Sequence, residues 1–112
     1  MVWLDCDPGL DDTFAIILAA QHPDIELMGL STSAGNSSLG NTTRNALDIL
    51  FNIQCSHIQV VKGSNMLIAG EPALAEYVHG AGGLGGVLIP RSDKEAITEN
   101  NFQTIRDMLF KR

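Results

Sequence analysis

Cysteine is scarce in this sequence of 112 residues, which holds only Cys6 and Cys55. Two isolated cysteines make neither a metal-ligand spacing nor a disulfide framework, so both are read as reduced thiols in apolar surroundings. Long hydrophobic runs are also missing. The longest, residues 14–20, stops at Gln21, His22 and Pro23. A bilayer-spanning helix needs roughly 20 apolar residues, so no part of the chain is expected to cross a membrane. Positive charge is thin, with 7 Lys and Arg against 13 Asp and Glu and a formal net charge of −6. That balance disfavours nucleic acid and anionic lipid as partners. Met1, Val2, Trp3, Leu4 and Asp5 form no basic n-region, so no secretory signal is read and a cytoplasmic location is expected. Repeats, low-complexity tracts and linkers are absent as well. With 45% apolar residues, the chain has the material for one modest core.

Short apolar runs alternate with stretches of helical spacing. Val2, Trp3 and Leu4 read as a buried strand, broken by Pro8 and Gly9. A helix follows over residues 11–21, with Phe14, Ile17 and Leu18 at helical spacing. Residues 25–32 read as a second strand, apolar enough to be buried on both faces. A polar loop at 33–38 leads to a second helix over 39–52, whose inner face is Ala46, Leu47, Leu50 and Phe51. Residues 58–61 are a third strand. Residues 63–86 are loop-rich, with a short helix expected at 72–77. A last helix is expected over 94–111, with Ile97, Phe102, Ile105 and Leu109 as its apolar side. Strands alternating with helices imply an α/β fold, a mostly parallel sheet with flanking helices. Ligands in such sheets bind beyond the carboxyl ends of the strands, where the loops at 5–12, 33–38 and 63–86 converge. A pattern ending on a helix after three strands leaves sheet edges bare, so the domain reads as cut short.

Chemistry concentrates at residues 5–12, D-C-D-P-G-L-D-D, which hold four aspartates. Asp5 and Asp7 close the first strand, and Asp11 and Asp12 open the first helix. Carboxylates in a first helical turn face the positive end of the helix dipole. Capping explains one or two of them, not four around a Pro-Gly turn. A cluster this dense repels itself unless a proton or a cation joins it, and hard divalent cations take carboxylate oxygens.

The octapeptide, set between a first strand and a first helix, resembles the signature of the inosine/uridine-preferring nucleoside hydrolases. Gly35 and Asn36 after the second strand, Thr43, Arg44, Asn45 and Ala46 on the second helix, and His79, Gly80, Gly83, Leu84 and Gly85 follow in the family's order. The resemblance covers about residues 2–90. It implies a Rossmann-like core, with residues 1–112 as the amino-terminal part of a single nucleoside hydrolase domain. It also implies hydrolysis of ribonucleosides to ribose and free base, with Ca2+ as cofactor. By the same resemblance Asp7 is a calcium ligand and the general base, and Asp12 is a calcium ligand. Asp11 binds a ribose hydroxyl, Asn36 positions water or ribose, His79 lies towards the base, and Asp5 supports the shell from behind. The complete protein is then expected to be a homo-oligomer. Family members are roughly three times this length, and the rest of their calcium shell lies beyond residue 112. Two alternatives follow: an inactive short form or assembly partner, and a haloacid-dehalogenase-type phosphatase, which also begins with a D-x-D after a strand. The phosphatase pattern does not account for Gly9 or for Asp11 and Asp12.

Gly80, Gly82 and Gly85 match G-x-G-x-x-G, but Pro90 argues against the helix that a dinucleotide fingerprint must open. The glycines fit a loop over the nucleoside instead. His22 and His57 read as surface residues at element ends, and Arg44 and Lys62 as solvated or structural.

Overall fold

The computed structural model describes residues 1–64 and 82–110. The short helix expected at 72–77 and His79 lie outside them. The described elements run β1 (Val2–Cys6), α1 (Leu10–Gln21), β2 (Leu27–Thr32), α2 (Leu39–Asn52), β3 (Gln59–Lys62) and α3 (Asn101–Phe110). The strands form one parallel sheet in the order β1-β2-β3. Leu4 pairs with Leu30 and Leu30 with Val60, while Asp5 pairs with Ser31 and Ser31 with Val61. Since side chains alternate along a strand, Leu4, Leu30 and Val60 share one face and Asp5, Ser31 and Val61 the other. The first face carries the core. Cys6, Leu30 and Val60 pack there with Ile16 of α1 and Ala46, Leu47, Ile49 and Leu50 of α2.

Each helix owes its place to a different feature. α2 is amphipathic, and Ser38 caps it by accepting from the Asn41 amide at 3.3 Å. Its buried residues include the expected Ala46, Leu47 and Leu50, whereas Phe51 is 43% exposed. α1 is apolar around most of its circumference. Ile16 and Ala19 are its buried residues, while Phe14 and Leu18 are exposed, contrary to the inner face expected from spacing. Where every position from Phe14 to Ala20 is apolar, periodicity cannot select the face; the sheet and α2 do.

The last helix is shorter than expected. It begins at Asn101, and Ile97 lies beside β3 as an isolated parallel bridge to Val61. The Ile97 amide donates to the Val60 carbonyl and its carbonyl accepts from the Lys62 amide, both at 2.8 Å. An edge strand needs partners for its outward backbone groups, and residue 97 supplies them to the Val60 carbonyl and the Lys62 amide at the cost of helix. α3 packs against β3 and β2 but buries none of its own residues, and Phe102 is 80% exposed.

Candidate active site

The carboxyl ends of β1 and β2 deliver two loops to one place. Ser33 donates its amide to the Cys6 carbonyl, so the chain leaving β2 stays beside the chain leaving β1. Thr42 Oγ1 donates to the Ser33 carbonyl at 2.8 Å, and the buried hydroxyls of Thr32 and Thr43 are bonded at 2.8 Å. The first turns of α2 thereby hold the 33–38 loop against the sheet.

Asp7 is gripped by that loop. The Asn36 amide donates to Asp7 Oδ2 at 2.9 Å, and Asn36 Nδ2 donates to the Asp7 carbonyl at 2.7 Å. Gly35 makes this approach possible. A Cβ at residue 35 would collide with Asp7 Oδ2, so any other residue there displaces the carboxylate.

Asp12 closes the loop from the other side. Pro8 is buried, Gly9 is the N-cap of α1 with no side-chain cap, and Asp11 and Asp12 fall in the first turn. Asp12 Oδ2 accepts the Asp7 amide at 3.1 Å. The Asp12 carboxyl is pushed up to about 6. Burial is the main cause, followed by its side-chain hydrogen bond with Asp7; the Asp7 amide pulls the other way, and the nearby Asp11 and Asp7 charges add smaller upward pushes. Two carboxylates this close hold either a shared proton or a cation between them.

Of the residues singled out in the sequence, Asp7, Asp12 and Asn36 meet directly. Asp11 stands beside Asp12 and is exposed. Asp5 turns elsewhere: its Oδ1 accepts from Ser31 Oγ, which in turn accepts from Trp3 Nε1 at 3.0 Å. His79 lies outside the described residues. Cys6 is buried, and its thiol is pushed up to about 12 by burial and then by the charges of Asp12, Asp5 and Asp7. Raised this far, it is a core side chain rather than a nucleophile or a metal ligand.

Asp7 and Asp12 suit a hard cation in kind, as adjacent oxygen donors at a helix mouth. Among the described residues no group of three or more His, Cys, Asp or Glu stands ready to hold a metal ion. The described residues therefore offer two adjacent carboxylates and no complete ligand set.

A residue without an assigned role in the sequence reading also belongs here. Asn45 projects from the buried side of α2 and donates to the Pro8 carbonyl at 3.1 Å and the Gly82 carbonyl at 2.7 Å. Its place in the Thr43-Arg44-Asn45-Ala46 match was the available signal. Farther along α2, Arg44 pairs with Asp48 at 2.8 Å, and both bind the backbone of Ser92. A cavity of about 290 Å³ lies there, lined by Asn41, Arg44, Asn45 and Asp48 and by Leu84 and Arg91. None of the aspartates of residues 5–12 lines it.

A parallel α/β sheet with an acidic strand-to-helix loop at its carboxyl edge defines a class of small-molecule site. The chain belongs to the inosine-uridine preferring nucleoside hydrolase family, whose model matches residues 2–112. It is similar to the uridine nucleosidase of Saccharomyces cerevisiae, at 41% identity over 103 residues, 90% of this chain and 30% of that protein. It is 45% identical over 87 residues to the pyrimidine-specific ribonucleoside hydrolase RihA of Shewanella oneidensis, covering 78% of this chain and 27% of that one. Among solved structures, the purine-preferring ribonucleoside hydrolase from Gardnerella vaginalis superposes with a TM-score of 0.88 at 33% identity, over 97% of this chain and 36% of that chain. The chain thus spans about 30% of the length of these curated relatives. Among the described residues no helix is long and apolar enough to cross a membrane.

Proposed function

We infer that these residues form the cation- and ribose-binding edge of an enzyme that hydrolyses the N-glycosidic bond of ribonucleosides to ribose and free base. The observation carrying this reading is the pairing of Asp7 and Asp12 across the Pro8-Gly9 turn, with Asp7 held by Asn36, in a chain of this family. The relatives act on nucleosides of both base classes by name, so the ribose end, not the base, is what these residues are built to meet.

In the reaction, water adds to C1′ as the C1′–N bond breaks, and the electron pair of that bond leaves with the base, which takes up a proton, so that one water is consumed for each ribose and free base released. The sugar carries oxocarbenium character at the transition state, as in other glycoside hydrolyses. Asp7 takes a proton from the attacking water as general base, and its position is set by the two Asn36 hydrogen bonds. Asp11, exposed at the helix mouth, accepts a hydrogen bond from a ribose hydroxyl. Asn36 keeps Asp7 and the water in line. His79 serves the base side, and Asp5 steadies β1 through Ser31. Asp7 and Asp12 would hold Ca2+, which when bound supplies positive charge that lowers the pKa of water and orients the ribose diol. The remaining oxygen donors come from water, substrate or other parts of the complete protein. The same reading extends to a cytoplasmic, homo-oligomeric enzyme.

Reducing-sugar release from nucleosides, followed in the complete protein, tests this. Asp7→Asn keeps the size of the side chain and removes its proton acceptor, and turnover should fall by about 10²–10⁴. Asp12→Ala should act through the cation, so added calcium should restore part of the activity. Near-normal turnover by Asp7→Asn with calcium occupancy unchanged would remove Asp7 from the base role.

A further inference from the structure

We propose that Asn45 is a positioning residue of this site, the strut that holds the glycine-rich loop at 82–85 against the acidic loop. The proposal rests on the nucleoside hydrolase reading for its consequence, though not for its geometry. The Asn45 side chain is 8% exposed. Its amide nitrogen donates to the Pro8 carbonyl, between Asp7 and the Gly9 cap, and to the Gly82 carbonyl on a loop 37 residues away in sequence. A buried carboxamide with both N–H bonds directed at carbonyls of two separate loops fixes their spacing, because leaving either carbonyl unmatched has a desolvation cost.

The loop is shaped to receive this contact. Gly83 has φ +89°, and a Cβ there would stand 2.9 Å from Asn45 Nδ2, 3.3 Å from the Pro8 carbonyl and 3.3 Å from Ser37 Cβ. Gly85, with φ +62°, sits over Leu10, where a Cβ would stand 3.5 Å from Leu10 Cδ2. The 82–85 segment therefore runs from the Pro8 turn to the residue immediately before Asp11 and Asp12. A ribose held at Asp11 would be bordered by that loop. Asp7 depends on Asn36 for its position, and neither of those bonds passes through Asn45. The strut should consequently govern substrate affinity more than the chemical step.

The test uses the complete protein with a ribonucleoside substrate and calcium present. Asn45→Ala should raise KM about tenfold, the scale of one or two lost hydrogen bonds, and leave kcat within about threefold. Gly83→Ala, which leaves α2 untouched and pushes the loop off the strut, should shift KM in the same direction. Asn45→Ala that folds with KM and kcat both unchanged overturns the proposal. If Asn45→Ala fails to fold, Gly83→Ala decides alone, and an unchanged KM sinks it. Wild-type protein that cleaves no nucleoside defeats the hydrolase reading, and hydrogen exchange then decides the strut. Asn45→Ala or Gly83→Ala should speed amide exchange in both the 7–13 and 82–86 segments, and exchange unchanged in the acidic loop refutes the coupling.

Discussion

At the scale of single residues, the acidic site is governed by close approach. Asp7 could be picked out by its place in the motif, but its orientation depends on Gly35 and Asn36, nearly thirty residues later. Gly35→Ala is accordingly a sharper probe than its size implies. The new methyl group would meet Asp7 Oδ2, so the carboxylate must turn out of its bond with the Asn36 amide. With Asp7 as the proposed general base, a displacement of about 1 Å costs on the order of 10²-fold in rate. Turnover of Gly35→Ala in the complete protein should fall by about that factor with its circular dichroism unchanged, and wild-type turnover would show that Asp7 has another way to hold its place. Asp5 carries the opposite lesson. It shares the motif, yet its carboxylate belongs to a chain through Ser31 to Trp3, and sequence spacing cannot tell which of two partners a carboxylate will meet.

At the scale of elements, α2 is the organiser. One set of its side chains fills the core, and another ties down chain that comes much later. Arg44 and Asp48, one helical turn apart, bind each other and the Ser92 backbone. Asn52 Nδ2 donates to the Pro90 carbonyl at 2.8 Å. The Arg44 side chain is 29% exposed and that of Asp48 7%, so the pair counts for more than an open surface bridge and less than a sealed one. Asp48→Asn removes the charge facing Arg44 and weakens the acceptor for the Ser92 amide. A loss of about 2 kcal/mol is expected, read from the urea midpoint with an unchanged slope. Loss below about 0.5 kcal/mol would mean that the segment at 90–92 holds without this clamp. Helix periodicity made α2 legible as an element. It could not reveal the clamp, because the partners are backbone groups in a segment without periodicity of its own.

At the scale of the whole molecule, the described residues hold the paired carboxylates of the proposed cation site and present a partly uncovered surface. Asp7 and Asp12 are the carboxylates in place, while a calcium ion takes about 6–8 oxygens. Phe14, Leu18, Leu88, Phe102 and Phe110 are largely exposed, and the chain spans about 30% of the length of its curated relatives. Calorimetry on the 112-residue chain alone should therefore detect calcium weakly, in the millimolar range typical of poorly filled oxygen sites. Asp12→Ala should abolish even that signal. Tight zinc binding without a calcium response would contradict the oxygen-donor reading, because zinc prefers nitrogen and sulfur ligands.

What the sequence by itself determined is local. Short apolar runs alternating with stretches of helical spacing specify strand and helix, so the parallel α/β order, most of the inner face of α2 and the acidic turn after β1 could all be read from it. Four aspartates around Pro8 and Gly9 mark the candidate site before any fold is known. Tertiary structure alone decided the rest. It chose Ile16 rather than Phe14 for the core side of α1, because the unbroken apolar run from Phe14 to Ala20 has no preferred face until a sheet offers one. It drew Ile97 out of a helical pattern onto the edge of β3, where two backbone groups needed partners. It also set Asn45 between Pro8 and Gly82. In each case the deciding partner lies far away in sequence, and an amino acid's chemistry names the bond it can make without naming the distant group that will be there to make it.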